Sequence, residues 1–151
     1  MIKLYLDVSC LNRPFDDQHQ ARIRIESTAV TLIFERMDAG VWRQVSSEMA
    51  IIEIDAIPDA DRRNRVRMLL PESESIMKLK KATFDRAKEL ELLGFKPADA
   101  VHVAAAERAK ADLLLSCDDR LCRLAKRRQN ELQVRIMNPV DWLKEIEDAD
   151  A

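Results

Sequence analysis

Short, almost entirely apolar strand patterns alternate with longer helical patterns along this sequence, and this alternation limits the possible folds more than any other feature. The strand patterns lie at residues 2–7, 41–47, 112–116 and 132–137. A strand that is apolar on both faces must be covered on both faces, which is typical of parallel sheets in α/β proteins. The alternation therefore predicts an α/β fold with a central parallel sheet between two layers of helices.

Helical patterns fill the segments between these strands. Helices are expected at residues 22–38, 48–57, 59–70 or 61–70, 80–93, 96–111, 118–129 and 138–146. Residues 13–20 are expected to form a loop, with Asp17 and Gln20 as a capping box at the entry to the first of these helices. The segment 75–79 fits either a short extended piece or the beginning of the next helix.

The length and composition are those of an ordinary globular protein. The 151 residues suit one domain spanning 1–151, with an acidic tail that is expected to fray from about residue 147. No apolar run approaches the length of a membrane span, and the N-terminus has no signal-peptide pattern. Three cysteines without CxxC spacing and two histidines argue against structural zinc. We therefore expect a reduced, cytoplasmic protein with no membrane partner.

Two features limit how the chain can bind nucleotides or nucleic acids. Its two glycines, Gly40 and Gly94, are far apart, so a glycine-rich phosphate loop is excluded. The formal net charge is −2, so bulk charge does not indicate a nucleic-acid-binding protein. Basic runs at 62–67, 78–81 and 126–128 are interpreted as solvated helix faces in preference to phosphate-binding tracks.

Acidic residues follow two of the predicted strands. Asp7 ends the first strand, and Asp118 and Asp119 come shortly after the strand at 112–116. Because parallel strands point the same way, these acids come to the same edge of the sheet, where sites in such folds lie. A strand-end turn or a helix cap explains each acid taken alone, but their convergence predicts a charged site.

Two predicted helices supply further candidates. Glu53 lies between isoleucines on an apolar helix face, whereas Glu48 lies in the first turn of the same helix, where the helix dipole already favours a carboxylate. The two are five residues apart and cannot both face one site, so Glu53 is preferred and Glu48 is the substitute. Asp99 lies in the first turn of an alanine-rich helix, where the helix dipole again favours a carboxylate. It shares a face with His102, which is interpreted as an ordinary helix histidine.

Converging carboxylates require either protons or a cation. Two carboxylates about 4 Å apart repel by roughly 4 kcal/mol at an effective dielectric of 20. Hard divalent ions such as Mg²⁺ or Mn²⁺ bind carboxylate oxygens and water, activate that water and neutralise charge on a phosphodiester. A set of four converging acids therefore favours a site for one of these ions.

Four stretches of the chain resemble the PIN-domain family, in the same order as in that family. They are YLDVSCLNRPFDD, VSSEMAIIEI, PADAVHVAAAERAKADLLLSCDDRL and NPVDWL. The resemblance is quite specific in the first stretch and from Asp99 to Leu121, and looser in the middle of the chain. It implies a three-layer α/β/α nuclease fold with a central parallel sheet. It also implies a ribonuclease dependent on Mg²⁺ or Mn²⁺, often the toxin of a toxin–antitoxin pair of the VapC kind.

The resemblance also implies roles for individual residues. Carried over by position, the four acids that are both catalytic and metal-binding are Asp7, Glu53, Asp99 and Asp118. The acidic turn of the family here reads Ser116-Cys117-Asp118, with Asp119 as a substitute acid. Ser9, Ser116 and Arg13 are candidate substrate contacts, although Arg13 is equally expected to pair with a carboxylate. As partners we expect RNA, a small antitoxin protein and a second copy of the chain in a homodimer.

Two other functions are compatible with parts of this pattern. A haloacid-dehalogenase-like phosphatase also places an aspartate after its first strand and uses Mg²⁺, but its chemistry needs a second aspartate two residues later. Ser9 occupies that position, so the general acid of this rival is missing. The other alternative is a PIN-like binding module without catalysis, against which the complete set of four acids argues.

Overall fold

A five-stranded parallel sheet forms the centre of the molecule. The computed structural model describes residues 1–150, and the side chains of residues 1–149. The strands are β1 (Lys3–Leu6), β2 (Arg43–Ser47), β3 (Ile76–Met77), β4 (Leu113–Leu115) and β5 (Arg135–Met137). Their spatial order is β3-β2-β1-β4-β5, and every neighbouring pair is parallel. All five carboxyl ends therefore lie at one edge of the sheet.

Helices connect the strands and cover the sheet. Within residues 1–150 they are α1 (Val8–Asn12), α2 (Ala21–Asp38), α3 (Glu48–Asp55), α4 (Ala60–Arg67), α5 (Lys81–Leu92), α6 (Pro97–Arg108), α7 (Asp119–Arg127) and α8 (Pro139–Asp150). Short 3₁₀ turns lie at Arg13–Phe15, Ser73–Ser75 and Gln129–Glu131. None of the helices in residues 1–150 is both long and apolar enough to cross a membrane.

The two faces of the sheet bury separate apolar cores, as the apolar strands predict. Alternate residues of β1 point to opposite faces: Tyr5 packs in the core that includes α5, α6 and α7, whereas Leu4 and Leu6 pack in the core that includes α1, α2 and α3. In β4, Leu114 and its neighbour Leu115 divide in the same way. Burial of a leucine side chain contributes about 1.5–3 kcal/mol. The predicted three-layer α/β/α sandwich is therefore confirmed.

Side chains at the carboxyl ends of the strands begin several helices. Ser47 ends β2 and accepts a hydrogen bond from the backbone N–H of Met49, so α3 begins directly at the edge of the sheet. Asp118, just after β4, accepts from the N–H groups of Arg120 and Leu121 and begins α7. Side chains at the carboxyl edge of the sheet thus set where α3 and α7 begin.

The structure departs from the expected elements at three places and decides between two alternatives at a fourth. The capping box at residues 17–20 is wrong: the side chain of Gln20 makes no cap, and Asp17 accepts from the N–H of His19. Residues 8–12 form α1, which is too short to carry a periodic pattern. The segment 75–79 contains β3, so the extended alternative is correct. The last helix extends to residue 150, beyond its expected end at residue 146, and fraying of the acidic tail stays a prediction.

Candidate metal centre

Asp7 is positioned by the register of the two central strands. Leu6 of β1 pairs with Leu115 of β4, so Asp7 and Ser116 leave the sheet side by side. The Ser116 hydroxyl donates to Asp7 Oδ2 at 2.7 Å, and the Ser9 hydroxyl donates to the same oxygen at 3.2 Å. These two hydrogen bonds fix the orientation of the Asp7 carboxylate.

Ser116 also connects Asp7 to the turn after β4, which carries Asp118. It is fully buried, and its hydroxyl oxygen accepts from the backbone N–H of Asp118 at 3.1 Å. The Ser9 hydroxyl oxygen accepts in turn from the N–H of Cys117 at 3.1 Å. The turn that carries Asp118 is therefore held against Asp7 by two serine hydroxyls. The two hydroxyls that were predicted to contact substrate, those of Ser9 and Ser116, thus also hydrogen-bond to this part of the site.

Glu53 reaches the same place from α3 and is held there by His102 of α6. Glu53 Oε1 accepts a 2.6 Å hydrogen bond from His102 Nε2. Potential ligand atoms of Asp7, Glu53 and His102 all lie within 4.8 Å of one another. The carboxylates of Asp7 and Glu53, which are far apart in sequence, therefore face a common point.

Asp99 joins the cluster from the first turn of α6, and its surroundings raise the pKa of its carboxyl group. The pKa of Asp99 is raised to about 6, chiefly by partial burial and next by the negative charges of Asp7 and Asp118. The charge of Glu53 has the same effect, whereas His102 opposes it. The carboxyl group of Asp99 is thus close enough to the other three acids to be destabilised by their charge.

A buried hydrogen-bond chain lies behind Glu53. Tyr5 Oη is 2.6 Å from His102 Nδ1 and 2.7 Å from Ser47 Oγ. Because a carboxylate can only accept, the proton on the other ring nitrogen, Nε2, is the one donated to Glu53. The Tyr5 hydroxyl can then donate to Nδ1 and the Ser47 hydroxyl to Tyr5, which leaves every polar atom in the chain with a partner. Burial raises the pKa of Tyr5, so its hydroxyl keeps its proton.

The charge of the site favours a cation. Among residues 1–149, no lysine or arginine side chain forms an ion pair with Asp7, Glu53, Asp99 or Asp118, and His102 alone pairs with one of them. Burial by itself lowers the pKa of His102, but its hydrogen bond to Glu53 and the charges of Asp7, Glu53 and Asp99 outweigh this and raise it. A cluster of carboxylate oxygens that lacks a basic side chain fits a hard divalent ion. Both ring nitrogens of His102 already have partners, so His102 fits better as a support for Glu53 than as a ligand.

The comparison with known families agrees with this geometry. The PIN domain family model matches residues 4–127. The chain belongs to the PIN domain family. Membership supports a nuclease activity, and the matched residues include all four acids of the cluster.

The fold of this PIN domain is also found in a solved structure. It is similar to a chain in the crystal structure of VapBC2 from Rickettsia felis bound to a DNA fragment from their promoter, with a TM-score of 0.58. The sequence identity is 12%, and the similarity covers 91% of this chain and 98% of that chain. At this identity the similarity shows a common fold. A search among curated proteins finds no match.

Two other predicted residues of this PIN domain, the substitute acids, lie in different surroundings. Glu48, the substitute for Glu53, accepts from the backbone N–H of Leu79 at 2.7 Å and so stabilises the segment after β3. Asp119, the substitute for Asp118, forms two 2.7 Å hydrogen bonds with Arg22 at the surface. The structure therefore favours Glu53 and Asp118 over their substitutes.

The basic residue predicted to guide RNA has an internal partner. Arg13 Nε donates to Glu26 Oε1 at 2.8 Å, and its Nη1 donates to Asp16 at 3.0 Å. Burial by itself lowers the pKa of Arg13, but the hydrogen bonds to Glu26 and Asp16 raise it overall. Glu26 is itself buried, and Arg13 neutralises it. Its expected role as a substrate contact is thus the weaker of the two interpretations, and the carboxylate-partner alternative is the one that the structure supports.

Two residues of the site, Tyr5 and His102, were not assigned a role from the sequence. His102 follows Asp99 by three residues and therefore shares its helix face, and Tyr5 precedes Asp7 by two residues and therefore shares its face of β1. These two spacings are the sequence features that could have placed His102 and Tyr5 near the acids. That the two side chains meet depends on how α6 packs on the sheet, which the sequence pattern does not give.

Proposed function

We propose that this PIN domain is a Mg²⁺- or Mn²⁺-dependent endoribonuclease that hydrolyses RNA phosphodiester bonds. The observation that supports it most strongly is that Asp7 and Glu53 face a common point, with Asp99 and Asp118 close by and no lysine or arginine paired with any of the four in the described residues. An uncompensated acidic cluster of this kind is unfavourable until a cation binds. RNA hydrolysis is the PIN-domain chemistry that such a site can perform.

The four acids have distinct parts in this proposal. Asp7, Asp99 and Asp118 hold one or two ions directly or through water, and Glu53 either contributes to a second ion or orients the attacking water. When bound, such an ion activates water and neutralises charge on the phosphodiester. We expect in-line attack and products with 5′-phosphate and 3′-hydroxyl ends.

The surrounding side chains maintain the geometry of the acids. The hydroxyls of Ser9 and Ser116 donate to Asp7, and His102 donates to Glu53. Such outer hydrogen bonds fix the orientation of carboxylate ligands and contribute to metal affinity. The serine hydroxyls therefore act on Asp7 in this proposal, in addition to any contact with a phosphate.

We further propose that the chain is the toxin of a toxin–antitoxin pair, located in the cytoplasm, and that it forms a homodimer. The fold shared with a chain of the VapBC2–DNA complex supports a small antitoxin partner. Induced expression of the wild-type chain should arrest growth, whereas expression of Asp7→Asn at the same level should not. Equal arrest by both proteins would contradict a toxin role that depends on the acidic cluster. Light scattering of the purified chain tests the dimer.

The nuclease itself is tested with a labelled single-stranded RNA and freshly purified protein. We expect cleavage with Mn²⁺ or Mg²⁺, no cleavage with EDTA, and recovery when metal is returned in excess. The double variant Asp7→Asn/Asp118→Asn should be inactive. Cleavage that survives in this variant would assign the activity to a contaminant or another site. A phosphoryl group covalently bound to Asp7 after incubation with a phosphomonoester would instead support the phosphatase.

A further inference from the structure

A basic groove lies between α7 and the turn that follows α5. Its volume is about 470 Å³, and it is lined by Leu93, Gly94, Arg120, Leu124, Arg127 and Arg128. Three of the six lining residues are arginines, and none is acidic. We call this site the arginine groove. Its charge differs from that of the chain as a whole, which carries a formal net charge of −2.

The arginine groove has a fixed shape because its floor is packed. Arg120, Leu124 and Arg127 follow one another at spacings of four and three residues, which places them on one face of α7. Leu124 is buried beneath Gly94, where an added Cβ would lie 3.6 Å from Leu124 Cδ1. Gly94 has a φ of +109°, which favours glycine and ends α5 close to α7. The two arginines therefore project from a rigid helix beside an apolar floor.

Two of the three arginines of the groove have no ionic partner among the described side chains, unlike several other arginines of the chain. Arg13, Arg22, Arg86 and Arg135 all form close ion pairs with acidic side chains. Arg120 and Arg127 are exposed and form no ion pair with residues 1–149, and Arg128 has a single 3.6 Å contact with Glu131. Guanidinium groups that are not neutralised internally are available to an anion, and their planar donors match phosphate oxygens well.

Both walls of the groove lead into the acidic cluster. On one side, the N–H of Arg120 donates to Asp118 Oδ1 at 2.9 Å, so α7 begins at the cluster and continues along the groove. On the other side, Gly94 precedes α6 by a short connection, and Asp99 lies in the first turn of that helix. Arg120 and Arg127 are about 10 Å apart along the helix axis, at 1.5 Å per residue. The groove thus extends the site by about two helical turns.

We propose that the arginine groove binds the phosphate backbone of the single-stranded RNA that flanks the scissile bond. This proposal rests on the proposed ribonuclease function. A substrate with charged phosphates on both sides of the reacting bond needs positive charge beside the acids. Arg120 and Arg127 supply it without an ionic partner among residues 1–149, and Arg128 adds a third guanidinium that has one 3.6 Å contact with Glu131. Contacts to phosphates position the strand and do not select its sequence. On this proposal, part of the basic run 126–128 binds phosphates. This differs from the interpretation of the run as a solvated helix face that the sequence favoured.

The test measures RNA binding separately from cleavage. The probe is a fluorescently labelled, mixed-sequence, single-stranded oligoribonucleotide, and its binding is followed by anisotropy in EDTA at several salt concentrations. The double variant Arg120→Gln/Arg127→Gln should raise Kd by at least about tenfold at low salt. It should also reduce the salt-dependence slope by about 1.4, because each phosphate contact on a single strand contributes about 0.7.

A matched control removes the same charge elsewhere. Arg36 and Arg43 are exposed and belong to the end of α2 and the start of β2, at the opposite edge of the sheet. The double variant Arg36→Gln/Arg43→Gln should leave Kd within about twofold of the wild type, since distant surface charges are screened. Equal weakening by the two double variants would overturn the proposal, as would unchanged binding by the groove variant or absence of RNA binding by the wild type.

The outcomes also separate this proposal from the ribonuclease proposal. Metal-dependent cleavage with no effect of the groove substitutions would overturn the groove and leave the nuclease intact. Weaker binding by the groove variant, together with no cleavage by the wild type, would support the groove and contradict the nuclease. If the groove variant loses binding of a poly-glutamate peptide but keeps RNA binding, the groove serves an acidic protein segment and the proposal fails.

Discussion

His102 donates a 2.6 Å hydrogen bond to Glu53 and thereby joins α6, which also carries Asp99, to α3. The imidazole is buried, whereas about a third of the Glu53 side chain is exposed. One end of the contact is therefore fixed in the core, and the other end faces the acidic cluster. The hydrogen bond therefore orients the carboxylate of Glu53 at the cluster.

We predict that His102→Asn weakens Mn²⁺ binding by about 10–100-fold, as is typical when an outer hydrogen bond to a metal ligand is lost. Tyr5→Phe should have a smaller effect in the same direction, because it removes only the hydroxyl that supports the imidazole. Isothermal titration calorimetry measures both constants. His19→Asn is the control, because His19 is exposed and lies outside the site. An unchanged affinity in His102→Asn would show that Glu53 does not need this support.

Substitution of the two candidate glutamates should distinguish them. Glu53→Gln removes a charge from the cluster and should lower the RNA cleavage rate by at least about 100-fold, since a bound ion supplies several kcal/mol of charge stabilisation. Glu48→Gln should keep near-normal cleavage and lose about 1 kcal/mol of stability, because it weakens the hydrogen bond to Leu79. Cleavage rates and urea unfolding separate the two effects. Slow cleavage by Glu48→Gln together with near-normal cleavage by Glu53→Gln would instead assign Glu48 as the acid that this helix contributes to the site.

The neighbouring aspartates at the start of α7 provide a second comparison. Asparagine caps a helix as well as aspartate does, so Asp118→Asn keeps the cap of α7 and changes mainly the charge. We expect it to lower Mn²⁺ affinity by at least about tenfold. Asp119→Asn breaks only a surface pair with Arg22 and should leave the affinity unchanged. Isothermal titration calorimetry of both variants measures their Mn²⁺ affinities. Equal affinities in the two variants would show that Asp118 is not a metal ligand.

The raised pKa of Asp99 predicts how metal binding depends on pH. Its value is about 6 in the folded chain against an ordinary 3.8, so the folded state retains this proton to higher pH than the unfolded state does. Without metal, this group therefore lowers the free energy of unfolding as pH rises from about 4 to 6, and the full loss persists above that range. A bound cation favours the charged form of Asp99 and therefore offsets this loss in the free energy of unfolding.

The gain in melting temperature on adding Mn²⁺ should consequently be larger at pH 7.5 than at pH 5. Asp99→Asn removes the titrating group and should reduce this difference between the two pH values. Differential scanning calorimetry at both values, with and without metal, measures it. A gain that is as large at pH 5 as at pH 7.5 would contradict the position assigned to Asp99.

The sequence predicts the part of the site that depends on strand direction. Apolar β1 and β4 had to be buried and parallel, so Asp7 and Asp118 had to reach the same edge, and the structure places them there. The contact between His102 and Glu53 could not be predicted, because it depends on the packing of two helices from separate parts of the chain. The pairing of Arg13 with Glu26 could not be predicted for the same reason, because the burial of Glu26 depends on how α2 packs against the rest of the chain.

The limits of a sequence pattern also explain where the predicted helices and caps differ from the observed ones. A five-residue helix such as α1 is shorter than the pattern that reveals a helix, and its start depends on Asp7, which also serves the site. The expected capping box failed because α2 begins at Ala21, directly after Gln20, so that Asp17 lies too far upstream to cap it. The basic character of α7 was visible in the sequence, but the acid-free groove beside it required the position of Gly94.

Thermal unfolding of the metal-free chain, with and without saturating Mn²⁺, tests most directly whether the four acids form a metal centre. We predict a rise in Tm of several degrees for the wild type, since binding at 100 times Kd adds about 2.7 kcal/mol. We also predict that this rise is absent in Asp7→Asn. No metal-dependent rise in the wild type, or an equal rise in Asp7→Asn, would contradict it.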